Sequence, residues 1–293
     1  AASDVYKRQA QDNSLDPFAA KDALTALVFD PSIQLDDVIQ VRWLAAPGTP
    51  ADGSYTSPPH VVKVLGTQEI ALDNKVLAYS FGGHVTVKYS KTTGSATRDS
   101  LPLILRVQDI ADADPRLPTP TIDRVTGDAL DPADLLPTDH TRTTAWPLIA
   151  VGQRVDLTYR EIKSDGSAGI IEQAYKGKEV TTEDLGGLKH PVPVAKLASL
   201  ADRSTLKLEV QVNFDGNESG RKFAFPTRTY NVSKGFDDLT TFTDYDWNNW
   251  ELRNGGGPFI QYNDGEYFLV SALDSNQYYS CLLYTSPSPR DRG

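Results

Sequence analysis

The sequence is poor in sulfur and has no long apolar run. Its 293 residues include no Met and a single Cys, Cys281. One Cys excludes an intramolecular disulfide and a zinc site built from several thiolates. No stretch approaches the roughly 18 consecutive apolar residues of a membrane-spanning helix. The sequence therefore predicts neither a disulfide framework nor insertion into a membrane.

Basic residues are also scarce relative to acidic ones. There are 29 Lys and Arg against 39 Asp and Glu, so the formal net charge is −10, and the acidic residues are dispersed along the chain. Nucleic-acid phosphates require a basic face on a protein, and anionic membranes attract basic segments. The charge balance argues against both kinds of partner.

Motifs for catalysis and cofactor binding are missing too. The four histidines have neither His-x-His nor His-x-x-x-His spacing, which favours solvated histidines over metal ligands; they are His60, His84, His140 and His190. There is no Gly-x-Ser-x-Gly elbow and no Gly-x-x-x-x-Gly-Lys phosphate loop. We therefore expect no catalytic residues, no bound cofactor and no metal site, and we expect that the chain is not an enzyme.

Neighbouring carboxylates are the nearest approach to a chemical site. They are Asp36 with Asp37, Asp237 with Asp238, and Asp244 with Asp246. Such pairs serve as general acid and base or as calcium ligands, but they also cap turns or stay solvated. Asp244 and Asp246, with Asn248 and Asn249, come closest to a calcium loop but lack its Gly and its final Glu.

What the sequence does contain is a repeated alternating stretch. Residues 33–43 read IQLDDVIQVRW, and residues 149–159 read IAVGQRVDLTY. In each copy a turn-forming residue, Asp36 or Gly152, precedes apolar residues at every second position. A period of two predicts a strand with one buried face and one wet face. The recurrence predicts one fold used twice.

The first copy sits among other strand and turn signals. Predicted strands occupy 26–29, 60–65, 69–72, 84–89 and 101–107, and 73–80 is a less clear stretch for which one helical turn is an alternative. In the last strand we expect Leu101, Leu103, Leu105 and Val107 to be buried. About seven short strands with turns every 8–12 residues are typical of an immunoglobulin-like sandwich.

The second copy follows the same plan after an offset of about 116 residues. Predicted strands are 169–173, 176–182, 206–214 and 223–232, while 190–200 parallels 69–78 of the first copy. Residues 108–121 join the copies through Asp114-Pro115, Leu117-Pro118 and Thr119-Pro120. Closely spaced prolines predict an extended, semi-rigid connector.

Aromatic residues are concentrated after residue 235. Turn signals at 254–257 and 263–265 separate short strands at 259–262 and 266–270, which suggests the truncated start of a third β domain. Trp247, Trp250, Tyr262 and Tyr267 form a possible glycan-binding set, since exposed rings stack on sugars. Core packing explains the same residues, because a sandwich interior also needs large aromatics.

Both ends of the sequence resemble translated sequencing adapters. Ala1–Gln9 is similar to the translation of a transposase-based adapter, and Cys281–Asp291 to the matching adapter read outward. We therefore expect residues 1–9 and 281–293 to be scars on a fragment. Without them the net charge would be −12, because they hold four basic and two acidic residues.

A family resemblance follows from the repeated motifs. Leu15-Asp-Pro17, Asp36–Trp43, Gly83–Tyr89 and Ser100–Val107 resemble the pattern of bacterial Ig-like repeats, and residues 120–232 match it more divergently. Such repeats occur in very large, surface-associated or adhesin-like proteins. The stretch Gly235–Leu239 followed by Trp247–Leu252 looks like the start of a carbohydrate-binding jelly-roll module.

The predicted fold class is all-β, with two tandem immunoglobulin-like β-sandwiches and the truncated start of a third β domain. The predicted divisions are 10–110 and 121–233 for the two sandwiches, 111–120 for the linker and 234–280 for the third domain. The resemblance implies a structural spacer at an extracellular or cell-surface location, with neighbouring domains of the same chain as partners. The alternative is a carbohydrate-binding protein whose glycan module starts near residue 234.

Overall fold

The computed structural model describes residues 13–234 in full. It also gives the backbone of strands at 4–7, 10–11, 251–253, 259–263, 266–274 and 277–283. Residues 1–235 and 236–293 are two compact units. Within the first unit we call residues 4–110 module 1 and residues 121–233 module 2.

Module 1 consists of two sheets. Its strands are β1 (Asp4–Lys7), β2 (Ala10–Gln11), β3 (Ser14–Leu15), β4 (Leu24–Phe29), β5 (Val38–Leu44), β6 (Tyr55–Thr56), β7 (His60–Val61), β8 (Gln68–Leu72), β9 (His84–Thr93), β10 (Ala96–Asp99) and β11 (Leu103–Val107). The smaller sheet has the order β1-β4-β8. The larger has the order β2-β3-β11-β9-β5-β6, with β7 paired to β5 and β10 to β9.

Module 2 repeats this arrangement. Its strands are β12 (Thr121–Ile122), β13 (Ala129–Leu130), β14 (His140–Thr144), β15 (Arg154–Ile162), β16 (Ala168–Glu179), β17 (Gly187–Pro191), β18 (Thr205–Asn213), β19 (Phe223–Ala224) and β20 (Arg228–Val232). The smaller sheet is β12-β14-β17, and the larger is β13-β20-β18-β15-β16 with β19 on β18. The two modules therefore have the same topology.

Helical structure is sparse among the residues described. One four-residue α-helix, α1, spans Val194–Leu197. The 3₁₀ segments are Ala51–Gly53, Asn74–Tyr79, Pro132–Asp134 and Thr182–Gly186. The segment at 74–79 confirms the helical turn considered for 73–80, and α1 follows β17 as that segment follows β8. None of the described helices is long and apolar enough to cross a bilayer.

Equivalent hydrogen bonds fix the same turn before the repeated strand of each module. Asp36 has a φ of 65° and Gly152 a φ of 92°. The N–H of Asp36 donates to the Val62 carbonyl at 2.9 Å, and that of Gly152 donates to the Val180 carbonyl at the same distance. Both turn predictions are confirmed, because each needs a residue that tolerates positive φ.

Each module has its own core. The alternating residues predicted to face inward are at most 2% exposed; they are Ile39, Val41, Trp43, Val155, Leu157, Tyr159, Leu206, Leu208, Val210 and Val212. Of the residues predicted to be buried in the last strand of module 1, Leu103 is only half-buried, and the prediction for Leu101 is wrong, because Leu101 is 66% exposed. It precedes β11, so the alternation of that strand does not extend to it.

Some predicted strand limits also differ from the structure. Only His60–Val61 of the predicted 60–65 strand pairs with β5, and Val64 and Leu65 are exposed. The two strands predicted at 169–173 and 176–182 are one strand, β16. Three register shifts let β16 continue through residues 174–175, where the sequence predicts a break between two strands. β17 begins three residues before the predicted 190–200 segment.

The second unit contains a four-stranded antiparallel sheet. Its strands are β21 (Glu251–Arg253), β22 (Phe259–Asn263), β23 (Glu266–Asp274) and β24 (Gln277–Leu283), in that order. β22 and β23 form the hairpin predicted from residues 263–265. The chain is thus all-β in both units.

Candidate functional site: the junction between the modules

An aromatic cluster joins module 1 to module 2. Phe81 precedes β9, and its ring packs edge-to-face against Phe214 and Phe223 of module 2. The centroid distances are 5.2 and 5.4 Å. Phe18 of module 1 lies 6.5 Å from Phe81. Each such aromatic pair stabilises the packing by about 0.5–1.5 kcal/mol beyond the effect of its buried area. The ring of Phe81 therefore contributes apolar contacts that hold the two modules together.

The linker is part of the same packing. Ile110 is fully buried and Leu117 is 3% exposed, and both belong to the core of module 2. The Ala113 N–H donates to the Ala224 carbonyl at 2.8 Å. A turn closes where the Leu117 N–H donates to the Asp114 carbonyl at 2.9 Å. The linker is therefore folded onto module 2 and is not the extended connector predicted from its prolines. Burial of its apolar residues outweighs the preference for an extended chain.

Arg116 ties the linker to module 1. Its Nε and Nη2 donate to Asp114 at 3.0 and 2.8 Å, and its Nη1 donates to Asp16 at 2.7 Å. The guanidinium also lies 4.7 Å from the centroid of the Phe18 ring. The hydrogen bonds from Arg116 hold the pKa of Asp114 below its usual value, against the effect of burial. The Leu15-Asp-Pro17 motif thus supplies a carboxylate to the junction.

A second arginine, which belongs to module 2, also bridges the two modules. Arg221 of module 2 donates through Nη1 to both carboxylate oxygens of Asp109, at 2.7 and 2.8 Å. Its guanidinium lies 4.3 Å from the Phe223 centroid. Arg221 and Asp109 are about half exposed, so screening by water limits the stabilisation from this pair to about 1 kcal/mol or less.

A buried ion network occupies the far end of module 1. Lys91 Nζ donates to the Ser32 carbonyl and hydroxyl at 2.8 and 2.6 Å. It lies 3.6 Å from Asp30 Oδ2 and 4.0 Å from Asp37 Oδ2. Burial opposes ionisation of both carboxylates, but hydrogen bonds and Lys91 outweigh it, so both pKa values are lowered. These are paired charges with a structural role.

A cleft in module 2 is lined by acidic residues. Its volume is about 450 Å³, and four of the residues that line it are aspartates: Asp123, Asp131, Asp134 and Asp139. Asp123 accepts hydrogen bonds from Arg142 Nη2 and the His140 N–H, at 2.9 and 3.2 Å, and Asp139 pairs with Arg124 Nε at 3.1 Å. Protein donors therefore already occupy the carboxylates of Asp123 and Asp139.

The four histidines have different surroundings, and two of them, His140 and His190, lie on the paired strands β14 and β17. His60 Nε2 lies 3.1 Å from Gln68 Oε1, and His84 is exposed. His140 Nδ1 lies 3.6 Å from Asp123 Oδ2. His190 packs against the Tyr175 ring at 5.0 Å, and its burial lowers the pKa of the imidazole. In the described part of the chain, no group of three or more His, Cys, Asp or Glu is arranged to hold a metal ion.

The residues proposed for glycan binding are only partly placed. Trp247 and Trp250 lie outside the described residues, as do the aspartates at 237, 238, 244 and 246. Tyr262 and Tyr267 are in β22 and β23, where they are direct cross-strand partners. The glycan site therefore remains a prediction.

Sequence reasoning missed the aromatic residues of the junction. Phe81 lies in no predicted element, while Phe214 ends one predicted strand and Phe223 begins the next. A usable signal lies in the comparison of the copies, since Phe214 and Phe223 stand where module 1 has Thr93 and Arg98.

No protein-family model and no curated protein matches the sequence. Solved structures align with much of the chain but superpose loosely. A 1.5-MDa bacterial ice-binding adhesin, studied for host cell surface retention, aligns over 96% of both chains with 12% identity and a TM-score of 0.25. Dimeric latent PorU from Porphyromonas gingivalis aligns over 80% of this chain and 20% of its own, with 13% identity and a TM-score of 0.26.

A third match is the C-terminal domain of the Streptococcus pyogenes antigen I/II-family protein AspA. It aligns over 78% of this chain and 98% of its own, with 10% identity and a TM-score of 0.21. At such TM-scores these likenesses carry no argument about function.

Proposed function

We propose that the two modules are non-catalytic spacer repeats of a large bacterial surface or adhesin-like protein. The observation that carries the proposal is the junction, where Phe81, the linker and two arginines hold one module against the next. Such packing keeps a set distance between whatever lies at either end of the pair. The resemblance of the repeated motifs to bacterial Ig-like repeats supports the surface location.

The direction of the strands supports a spacer. β9 runs from His84, beside Phe81 at the junction, to Thr93 at the far end of module 1. β18 runs from Thr205 to Asn213, which precedes Phe214 at the junction. Each strand of nine or ten residues spans about 30 Å. The modules therefore meet end to end, and each adds its strand length to the span.

Force spectroscopy on the full chain, tethered at its two ends, tests the spacer role. Because each module has its own core, we expect two separate unfolding events. Each should release roughly 350–410 Å of chain, from about 3.3–3.6 Å per extended residue. A single event that releases both modules together would contradict two load-bearing repeats.

Carbohydrate binding by the second unit is the alternative function. The direct pairing of Tyr262 with Tyr267 across β22 and β23 favours it, because cross-strand partners lie close on one sheet. We expect Trp250→Ala to abolish retention on a glycan array while the far-UV circular dichroism stays unchanged. Retention equal to that of the unmodified chain would remove Trp250 from the hypothesis.

A further inference from the structure

A fold used twice gives four module ends whose chemistry can be compared position by position. We call the end of each module where β9 or β18 starts its exit end, and the opposite end its entry end. The junction joins the exit end of module 1 to the entry end of module 2. The other two ends show which residue types occupy the equivalent positions where no junction is formed.

Strand register sets the equivalences at the entry ends. Ile39 pairs with Lys91 in module 1, as Val155 pairs with Val212 in module 2. Lys91 in turn pairs with Arg98, as Val212 pairs with Phe223. Lys91 is therefore equivalent to Val212, and Arg98 to Phe223. Thr93 lies two residues after Lys91, and Phe214 lies two residues after Val212, so Thr93 is equivalent to Phe214.

The turn before the repeated strand extends the comparison. The Ile33 N–H donates to the Asp30 carbonyl at 3.0 Å, and the Ile149 N–H to the Trp146 carbonyl at 3.1 Å. Asp30 is thus equivalent to Trp146. The entry end of module 2 has apolar and aromatic side chains where module 1 has an ion network and polar residues.

The exit ends differ in the same way. Gly82 and Arg203 both have positive φ, of 72° and 58°. The residues before them, Phe81 and Asp202, are therefore equivalent. Asp202 is polar and accepts a hydrogen bond from the Lys234 N–H at 2.9 Å. At the positions compared, aromatic residues thus occur on both sides of the junction and on neither of the other two ends.

We infer that these positions determine which module ends dock. The aromatic side chain before the strand that starts at an exit end packs on an entry end that has aromatic residues. It does not dock on an entry end that has charged residues at the same positions. The physical reason is desolvation. Seating the ring of Phe81 against the charged end of module 1 would strip water from the exposed side chain of Arg98 without supplying a partner, which is costly. The inference goes beyond a spacer role, because it states which module ends recognise each other.

Exchanging residues between the modules in the full chain tests the inference. The background has Cys281→Ser, with spin labels at Ala71→Cys and Thr229→Cys, which are exposed positions in modules 1 and 2. Phe214→Thr with Phe223→Arg gives module 2 the residues of module 1. Phe81→Asp gives module 1 the residue of module 2. We expect either change to widen the distance distribution between the labels at least twofold.

The control is Phe29→Thr, because Phe29 is 50% exposed and makes no junction contact; its distribution should match that of the background. If the double substitution unfolds module 2, the distance distribution of the Phe81→Asp variant is the test, since that substitution leaves module 2 unchanged. Narrow distributions in the folded variants would overturn the inference.

The freed Phe81 loop gives a second readout. In the Phe214→Thr, Phe223→Arg chain this loop has no partner except the charged entry end of other copies. We expect light scattering to find a monomer at all concentrations. Concentration-dependent assembly that disappears when Phe81→Asp is added would mean that the charged end also docks, and it would overturn the inference.

Discussion

At the scale of single residues, the clearest consequence of the structure concerns Asp37. Its carboxylate is 2% exposed and accepts hydrogen bonds from the Thr93 hydroxyl at 2.6 Å and the Gln34 N–H at 2.8 Å. Burial alone would raise the pKa of Asp37, but these bonds and Lys91 bring it below its ordinary value of 3.8. The ionised form is therefore the one that the fold stabilises.

Asp37→Asn should lower the free energy of unfolding by about 2 kcal/mol or more at pH 7, because it leaves Lys91 with one carboxylate fewer. A lowered folded-state pKa means that the stabilisation is complete above about pH 4. It is lost as the pH falls through the folded-state value. The difference between the variant and the unmodified protein should therefore shrink in acid.

Urea denaturation at pH 7, 4 and 2.5 measures this difference. The matched control is Asp36→Asn, because the Asp36 side chain is 76% exposed and its ion pair with Lys63 lies at the surface. Its effect should be within about 0.5 kcal/mol at every pH. An Asp37 effect that stays constant from pH 7 to 2.5 would show that its charge is not what stabilises module 1.

At the scale of elements, the strict alternation of apolar residues predicted which side chains of the central strands face inward, and the structure confirms it. β5, β9, β15 and β18 are central strands of their sheets, and their inward residues follow the period of two. The edge strands were harder to place because tertiary contacts decide them. β16 continues through three bulges, while Ser57-Pro58-Pro59 divides the equivalent edge of module 1 into β6 and β7. Bulges and prolines both discourage pairing with other chains.

The linker shows why the junction was beyond sequence reasoning. Its prolines predict stiffness, but the direction of the chain depends on an apolar surface of module 2 that forms only on folding. Among residues 108–121, Ile110 and Leu117 are the apolar side chains that this surface covers. Nothing in their spacing distinguishes them from exposed linker residues.

We expect Leu117→Ala to lower the free energy of unfolding of module 2 by about 2–4 kcal/mol, because it empties space in the core. Leu101→Ala is the control, since Leu101 is 66% exposed and its loss should change stability by no more than about 0.5 kcal/mol. Chemical denaturation followed by tryptophan fluorescence measures both. Equal, small effects would mean that the linker is not part of the core.

At the scale of the whole molecule, one fold occurs twice, and the two modules are packed against each other. The repetition was visible in the sequence, because Asp36–Trp43 and Gly152–Tyr159 share a pattern. The packing of the two modules against each other was not visible in the sequence, because the aromatic residues involved lie on different modules and are distant in the chain. A spacer needs both properties, since rigid modules on a free hinge would not hold a distance.

Residual dipolar couplings test this claim most directly. In a weakly aligned sample of the full chain, amide couplings from residues 15–107 and from residues 122–232 are fitted separately. Modules that are fixed to each other must share one alignment tensor. We expect the two fits to agree in magnitude, rhombicity and orientation. Two tensors of clearly different magnitude would mean that the modules move independently, and would contradict the proposed spacer.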